Sequence, residues 1–220
     1  MQRLIDLLFP EGNNCHLCSR GLSEAGILCT ECLDALHSRM YRPAAVVHAD
    51  AHPPLSLCVS AFPHADEPRR LVHLLKYTSD STCAQLLGEA MAHAFACVPV
   101  SKPDAQVVVP VPLHASRTET RGYNQALLLA QTVSDCLGLP MAPEALTRNH
   151  ATDTQLHRNR FDRLQAMQFA FSSSDEEAIR GKNLLLVDDV LTTGATAMAC
   201  ARVLLKAGAS SVMLLTACRA

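Results

Sequence analysis

Two adjacent carboxylates, Asp188 and Asp189, close the apolar run Leu184, Leu185, Leu186, Val187 and are followed, after Val190 and Leu191, by Thr192, Thr193, Gly194, Ala195 and Thr196. A continuously apolar run of this kind is expected of a strand covered on both faces, which puts the two aspartates at its carboxyl end, the edge of an α/β sheet where ligands bind. The threonine and glycine loop then leads into a helical pattern, so its backbone N–H groups and hydroxyls can cradle a phosphate at the positive end of the helix dipole. The carboxylates call for hydroxyl groups and the loop for a phosphate. A ribose 5-phosphate unit offers both, its 2- and 3-hydroxyls to Asp188 and Asp189 and its 5-phosphate to the loop. A plain capped helix accounts for one Thr and one Asp. It leaves the second carboxylate and the glycine unexplained.

A second group with chemistry is Cys15, Cys18, Cys29 and Cys32, in the array C-x2-C-x10-C-x2-C. Each C-x2-C pair can turn two thiolates toward one ion, and two pairs complete a closed tetrahedron, so the expected occupant is a structural zinc with no open catalytic position. The alternative, a pair of disulfides, requires an export route. The start of the sequence has neither the charge nor the apolar length of a signal peptide or membrane anchor, so a cytoplasmic protein without membrane insertion is expected. The remaining cysteines, Cys58, Cys83, Cys97, Cys136, Cys200 and Cys218, lie singly in apolar segments and are expected to be small buried hydrophobes.

Cationic side chains come next. Arg117 and Arg121 follow a strand stiffened by Pro110 and Pro112, and guanidinium groups suit bidentate contact with a diphosphate; solvated arginines on a loop are the other reading. Lys76 closes the helical stretch "LVHLLKY" and is read either as a further phosphate or sugar ligand or as a surface lysine. Arg158, Arg160 and Arg163 form one face of a polar helix. His48, His52 and His64 lack ligand spacing and are read as exposed loop residues.

Positioning these groups requires a core. The 220 residues are 49% hydrophobic with a net charge of -2, enough for one sizeable domain plus an appendage and without a general field for nucleic acid. A Pro, Ala and His rich stretch over residues 40–56 divides the chain into a small cysteine knob, residues 1–45, and a larger domain, residues 55–220. In the larger domain short β-prone runs alternate with helical ones, the signature of a parallel α/β sheet flanked by helices. Strands are expected at "LSLCVSAF", "AQVVVPVPL", "NLLLVDD" and "SSVMLLTAC". Helices are expected at "EPRRLVHLLKY", with Leu71, Leu74 and Leu75 on one face, at "STCAQLLGEAMAHAFA", "NQALLLAQTVSDCLG", "TQLHRNRFDRLQAM" and "GATAMACARVLLKAG".

The stretch "LLVDDVLTTGAT" resembles the phosphoribosyl pyrophosphate (PRPP) binding motif of type I phosphoribosyltransferases. More widely the chain resembles the ComF family of competence and DNA-utilisation proteins, which join a cysteine zinc knob to such a domain. The resemblance is carried by "VPVPLH" (Val109 to His114), "RGYNQ" (Arg121 to Gln125), "TDTQ" (Thr152 to Gln155) and Ala170–Phe171; Gln165 and Ala166 stand where relatives often have Arg and Asn. It implies a type I phosphoribosyltransferase-like fold, PRPP with magnesium at Asp188, Asp189, Thr192, Thr193, Gly194, Ala195, Thr196 and Lys76, and Arg117 and Arg121 as catalytic groups. The implied reaction displaces pyrophosphate at the anomeric carbon. Purine-salvage relatives often carry a carboxylate base where this chain has Thr192, so such an enzyme is disfavoured and the acceptor is open. The other class is a non-catalytic sensor of PRPP or a nucleotide. Partners under these readings are a phosphorylated ribose, single-stranded DNA or DNA-uptake proteins, and a second copy of the chain.

Overall fold

The structure is a computed structural model and describes residues 14–22, 26–41, 54–77, 81–98, 104–113, 122–149 and 170–220. Helix α1 spans Thr30–Arg39 in the cysteine knob. Strand β1, Leu57–Pro63, is followed by α2, Asp66–Tyr77, and α3, Ser81–Ala96. Then come β2, Val107–Pro110, and α4, Gln125–Leu137. Short strands β3, Leu146–Arg148, and β4, Phe171–Ser173, pair antiparallel and lead through α5, Glu176–Ile179, to β5, Asn183–Leu191. Helix α6, Ala195–Lys206, and β6, Ser211–Arg219, complete the series.

The main sheet has four parallel strands in the order β1-β6-β5-β2. Its centre reads as unbroken apolar sequence because both faces are covered: Leu184 to Val187 and Leu214 to Leu215 are fully buried. One face packs under α2, α3 and α4, with Val59, Ala61, Leu185, Val187 and Leu215 against Leu71, Leu75, Leu87, Met91 and Leu129. The other packs under α6, with Cys58, Val107, Val109, Leu186 and Leu214 against Cys200, Ala201 and Leu204. Inside the sheet the hydroxyls of Ser60 and Thr216, both buried, bond each other at 2.7 Å, which satisfies two polar groups at once and ties β1 to β6.

The helices begin and end as their sequences direct. Asn124 caps α4 by accepting from the Ala126 N–H at 3.1 Å, and Gly138 closes it in the left-handed conformation that glycine adopts without strain. On α2, Leu71 and Leu75 are buried together with Pro68 and Val72, whereas Leu74 is only half-buried. The knob is not an isolated lobe. Cys15, Leu17, Cys29 and Leu36 belong to the same apolar cluster as the sheet and α2, Arg70 on α2 donates to the Leu17 carbonyl, and the Tyr41 N–H donates to Ala61 in β1.

The structure departs from several expectations. Of the scattered cysteines, Cys58, Cys83, Cys200 and Cys218 are buried, but Cys136 lies on the exposed side of α4 and Cys97 is half-exposed just past α3. His64 is half-buried at the exit of β1, where its backbone N–H donates to the Arg219 carbonyl at 2.7 Å; the turn that comes after β1 folds it back against β6. The pair β3 and β4 is additional to the expected strands, because three-residue strands carry no periodicity. The expected helix at "TQLHRNRFDRLQAM", with Arg158, Arg160 and Arg163, and also His48, His52 and the 40–56 connection beyond Tyr41 up to Pro53, lie outside the described residues.

Candidate functional site

Strand β5 outruns its neighbour. Pro110, the last residue of β2, is level with Val187, so Asp188, Asp189, Val190 and Leu191 continue along β6 beyond the last β2 pairing. The two aspartates therefore lie within the strand near its carboxyl end, two residues before it stops, and face a cleft of about 250 Å³. The cleft is closed by Val111 to Leu113 after β2, by Asn124 and Gln125 at the start of α4, by Arg148 of β3, by Lys76 of α2, and by Thr192 and Thr196. Asn124 fixes this wall, since its side-chain amide donates to the Val111 carbonyl at 3.1 Å while its oxygen caps α4. The positive end of the α4 dipole is thereby held at the cleft.

The loop turns from β5 into α6 at Gly194, which has φ of 73° and is the residue before the first helical position. A Cβ there would meet Leu191 Cδ1 at 3.6 Å and Met198 Cε at 3.9 Å, ordinary contacts, so the demand for glycine comes from the backbone angle and not from crowding. Thr193 Oγ1 accepts from the Ala195 N–H at 3.4 Å, and Thr192 to Thr196 line the loop's own hollow of about 40 Å³ together with Asp188 and Thr216, at the helix end whose first-turn N–H groups lack intrahelical partners.

Asp188 and Asp189 are unequal. Asp188 Oδ1 accepts from the Asp189 N–H at 2.8 Å. Burial and the charge of Asp189 push its carboxyl up to about 7, against the weaker opposing pull of that N–H, Lys76 and Arg148. Asp189 is held by Lys76, Nζ to Oδ2 at 2.9 Å, in a pair whose side chains are 26% and 17% exposed. Lys76 is thus no free surface lysine. Its backbone is steadied by Tyr123, whose hydroxyl donates to the carbonyl of Leu75. Arg148, stacked at 5.3 Å over the Phe171 ring, completes the cationic side of the cleft and is absent from the residues that sequence reasoning singles out; an arginine alternating inward on a short strand is the available signal. Asp188, Asp189, Thr192, Thr193, Gly194, Ala195, Thr196 and Lys76 are therefore gathered at one sheet edge. Arg117 and Arg121 lie outside the described residues.

The four knob cysteines also converge. Cys29 precedes α1 and Cys32 lies in its first turn, while Cys15 and Cys18 flank a tight turn closed by the Ser19 N–H to the Cys15 carbonyl at 2.7 Å. Their sulfurs all lie within 4.8 Å of one another, with Cys18 and Cys29 at 3.6 Å. Zinc–sulfur bonds of about 2.3 Å place the corners of a tetrahedron about 3.8 Å apart, whereas a disulfide requires about 2.05 Å, so the donor set fits a metal such as zinc. Burial raises the Cys15 thiol, but hydrogen bonds from the backbone of Cys29, Cys18 and Leu17 outweigh it and bring the group down to about 6, whereas burial and its bonds to Cys29, Cys15 and Cys18 push the Cys32 thiol well up.

A parallel sheet flanked by helices, with an acidic strand end running into a Thr/Gly loop, is the type I phosphoribosyltransferase fold, and residues 124–220 match the phosphoribosyl transferase domain family. The chain is 33% identical over 210 residues to the DNA utilization protein YhgH of Escherichia coli (strain K12), covering 93% of this chain and 89% of that protein. It is 32% identical over 162 residues to competence protein F of Haemophilus influenzae, covering 73% and 66%, and 30% identical over 224 residues to competence protein ComFC of Bacillus subtilis, covering 99% and 88%. The chain belongs to the ComF family of competence and DNA-utilisation proteins. Among solved structures it is similar to the allosteric regulatory enzyme of purine biosynthesis, at 18% identity and a TM-score of 0.45 over 66% of this chain and 30% of that one. No described helix is long and apolar enough to cross a membrane.

Proposed function

We propose that the cleft at the end of β5 binds PRPP with magnesium and that the protein is a phosphoribosyltransferase of the ComF type, with the knob of residues 1–45 holding zinc and residues 55–220 forming the catalytic domain. The observation that carries this reading is the run from Asp188 to Thr196: two carboxylates near the carboxyl end of β5, then a loop that lines a hollow at the start of α6. The ribose 2- and 3-hydroxyls would donate to Asp188 and Asp189, and the 5-phosphate would fill the hollow. Lys76 would release part of its hold on Asp189 and turn toward phosphate oxygens. Magnesium carried on the diphosphate would supply charge neutralisation of the leaving group. Arg117 and Arg121 are assigned to the same diphosphate. The names of the relatives point to DNA uptake and utilisation as the setting.

The test is titration of PRPP and of ribose 5-phosphate, with and without magnesium, into wild type and Gly194→Val. Wild type should bind both, PRPP more tightly when magnesium is present, and Gly194→Val, folded by circular dichroism, should lose most affinity for each. Binding of neither by well-folded wild type would refute the reading.

A further inference from the structure

A second concavity, of about 490 Å³, is also bordered by Lys76. It is lined by His64 at the exit of β1 and by Arg69, Arg70, His73, Lys76 and Tyr77, which recur at three- and four-residue intervals along one face of α2. No acid lines it. The acids of α2, Asp66 and Glu67, are in its first turn and paired with Arg39 at 3.0 and 3.4 Å, and among the described residues Arg69 has no carboxylate partner. In a chain of net charge -2 this is a local accumulation of positive charge, relieved on the Lys76 side alone by the pair with Asp189. Burial, and the charges of Lys76 and Arg69, hold His64 below the usual imidazole range, as expected of a half-buried ring among cations. The recess also presents an aromatic surface: Tyr77 is 67% exposed, with its ring 4.5 Å from that of His73.

The recess and the carboxylate cleft share Lys76 and are therefore neighbours. We propose that this recess is the acceptor subsite and that it takes a heteroaromatic ring bearing an anionic group, the ring against Tyr77 and His73 and the anion on Arg69 and His64. The inference rests on the PRPP reading above. Guanidinium suits a carboxylate or phosphate in bidentate contact, and a tyrosine face accepts any flat ring. In the transfer, the lone pair of a ring nitrogen forms the bond to the anomeric carbon as the bond from that carbon to the diphosphate oxygen breaks. Diphosphate leaves with that electron pair, and the proton of the ring N–H passes to solvent.

The probes are orotate and uracil, which share a ring and differ by one carboxylate, with inorganic phosphate as the anion without a ring. Each is titrated into the full-length zinc-loaded protein in the presence of PRPP and magnesium, with the imidazole resonances of His64 and His73 monitored by NMR. Orotate should bind at least about tenfold more tightly than uracil or phosphate and shift both histidines. Arg69→Ala should abolish the advantage of orotate over uracil, and Tyr77→Ala should weaken orotate and uracil alike; both positions are exposed, and PRPP affinity should hold in both variants. Equal affinity for orotate and uracil in wild type that binds PRPP would overturn the proposal while leaving the PRPP reading intact. A tenfold loss of PRPP affinity in Arg69→Ala would instead give the recess to the diphosphate, and saturation by a dT oligonucleotide with no orotate binding would give it to nucleic acid; either overturns the proposal. Failure of wild type to bind PRPP at all would overturn the underlying reading as well.

Discussion

Replacing Asp188 and Asp189 singly by asparagine separates what each carboxylate does. In Asp188→Asn the amide oxygen still accepts from the residue 189 N–H, so the local backbone is preserved and the change removes the ionisable carboxyl alone. In Asp189→Asn the 2.9 Å ion pair to Lys76 is lost as well. A hydrogen bond from a sugar hydroxyl to a carboxylate contributes about 1.5 to 3 kcal/mol, so either variant should bind PRPP roughly ten- to a hundredfold more weakly. The two should differ in their effect on Lys76. In Asp189→Asn the freed ammonium can reach a phosphate oxygen, which returns part of the loss for PRPP, whereas Asp188→Asn has no such compensation. Asp188→Asn is therefore expected to be the weaker binder of the two. Calorimetric titration at fixed magnesium, with ribose 5-phosphate as reference, measures this directly. Affinities unchanged in both variants would show that the aspartates do not hold the sugar, and the chemical reading of β5 would fall. A larger loss in Asp189→Asn would refute the role given to Lys76.

Four further outcomes are expected. Metal analysis of protein purified without added metal should find one zinc per chain, and chelation should lower thermal stability of the whole protein, because Cys15 and Cys29 sit in the main apolar cluster; a disulfide between any two of Cys15, Cys18, Cys29 and Cys32 would contradict this. Since the Asp188 pKa is raised from 3.8 to about 7, the folded state holds its proton where the unfolded chain has lost it, so this group's stabilisation is complete below pH 4 and lost as pH rises through 7; urea unfolding should show Asp188→Asn gaining stability over wild type above pH 7 relative to their difference at pH 4. Arg117→Ala or Arg121→Ala should reduce the preference for PRPP over ribose 5-phosphate while leaving ribose 5-phosphate nearly unaffected in the same titrations. Fluorescence titration of a labelled oligonucleotide should show weak binding that falls steeply with salt and ignores base sequence, since the chain carries a net charge of -2 and no groove-reading motif.

How much of the site is legible in the sequence depends on how far each signal is local. The β5 run, the aspartates and the Thr/Gly turn succeed one another along the chain, and hydrophobic continuity plus one glycine suffice to place them. The cysteine array is legible for the same reason. Lys76 and Arg148 are brought to Asp188 and Asp189 only by tertiary packing, from elements far away in sequence, so Lys76 reads equally well as a surface residue and Arg148 gives no sign of its place. His64 and Cys136 differ from expectation because exposure depends on which face a helix or turn presents, and apolar neighbours in sequence do not decide that. Strand β5 runs two residues beyond its aspartates because Val190 and Leu191 pair with Cys218 and Arg219, a partner strand no local pattern reveals.

The strand order also governs when the protein can take shape. β6 occupies an inner place between β1 and β5, and the Ser60–Thr216 hydroxyl pair joins residues 156 positions apart. On the ribosome β1 is therefore made long before the strand it needs, and at about 5–20 residues per second it waits on the order of ten seconds or more with an apolar edge uncovered. The local unit β5, α6 and β6 can close first, and β1 then joins a template already built. Folding is slow by topology and most exposed to aggregation in that interval. Nascent chains stalled before β6 should accordingly engage chaperones, and any truncation or fusion that disturbs β6 unpairs two strands at once, removing β1 and the loop-bearing β5 from the same sheet.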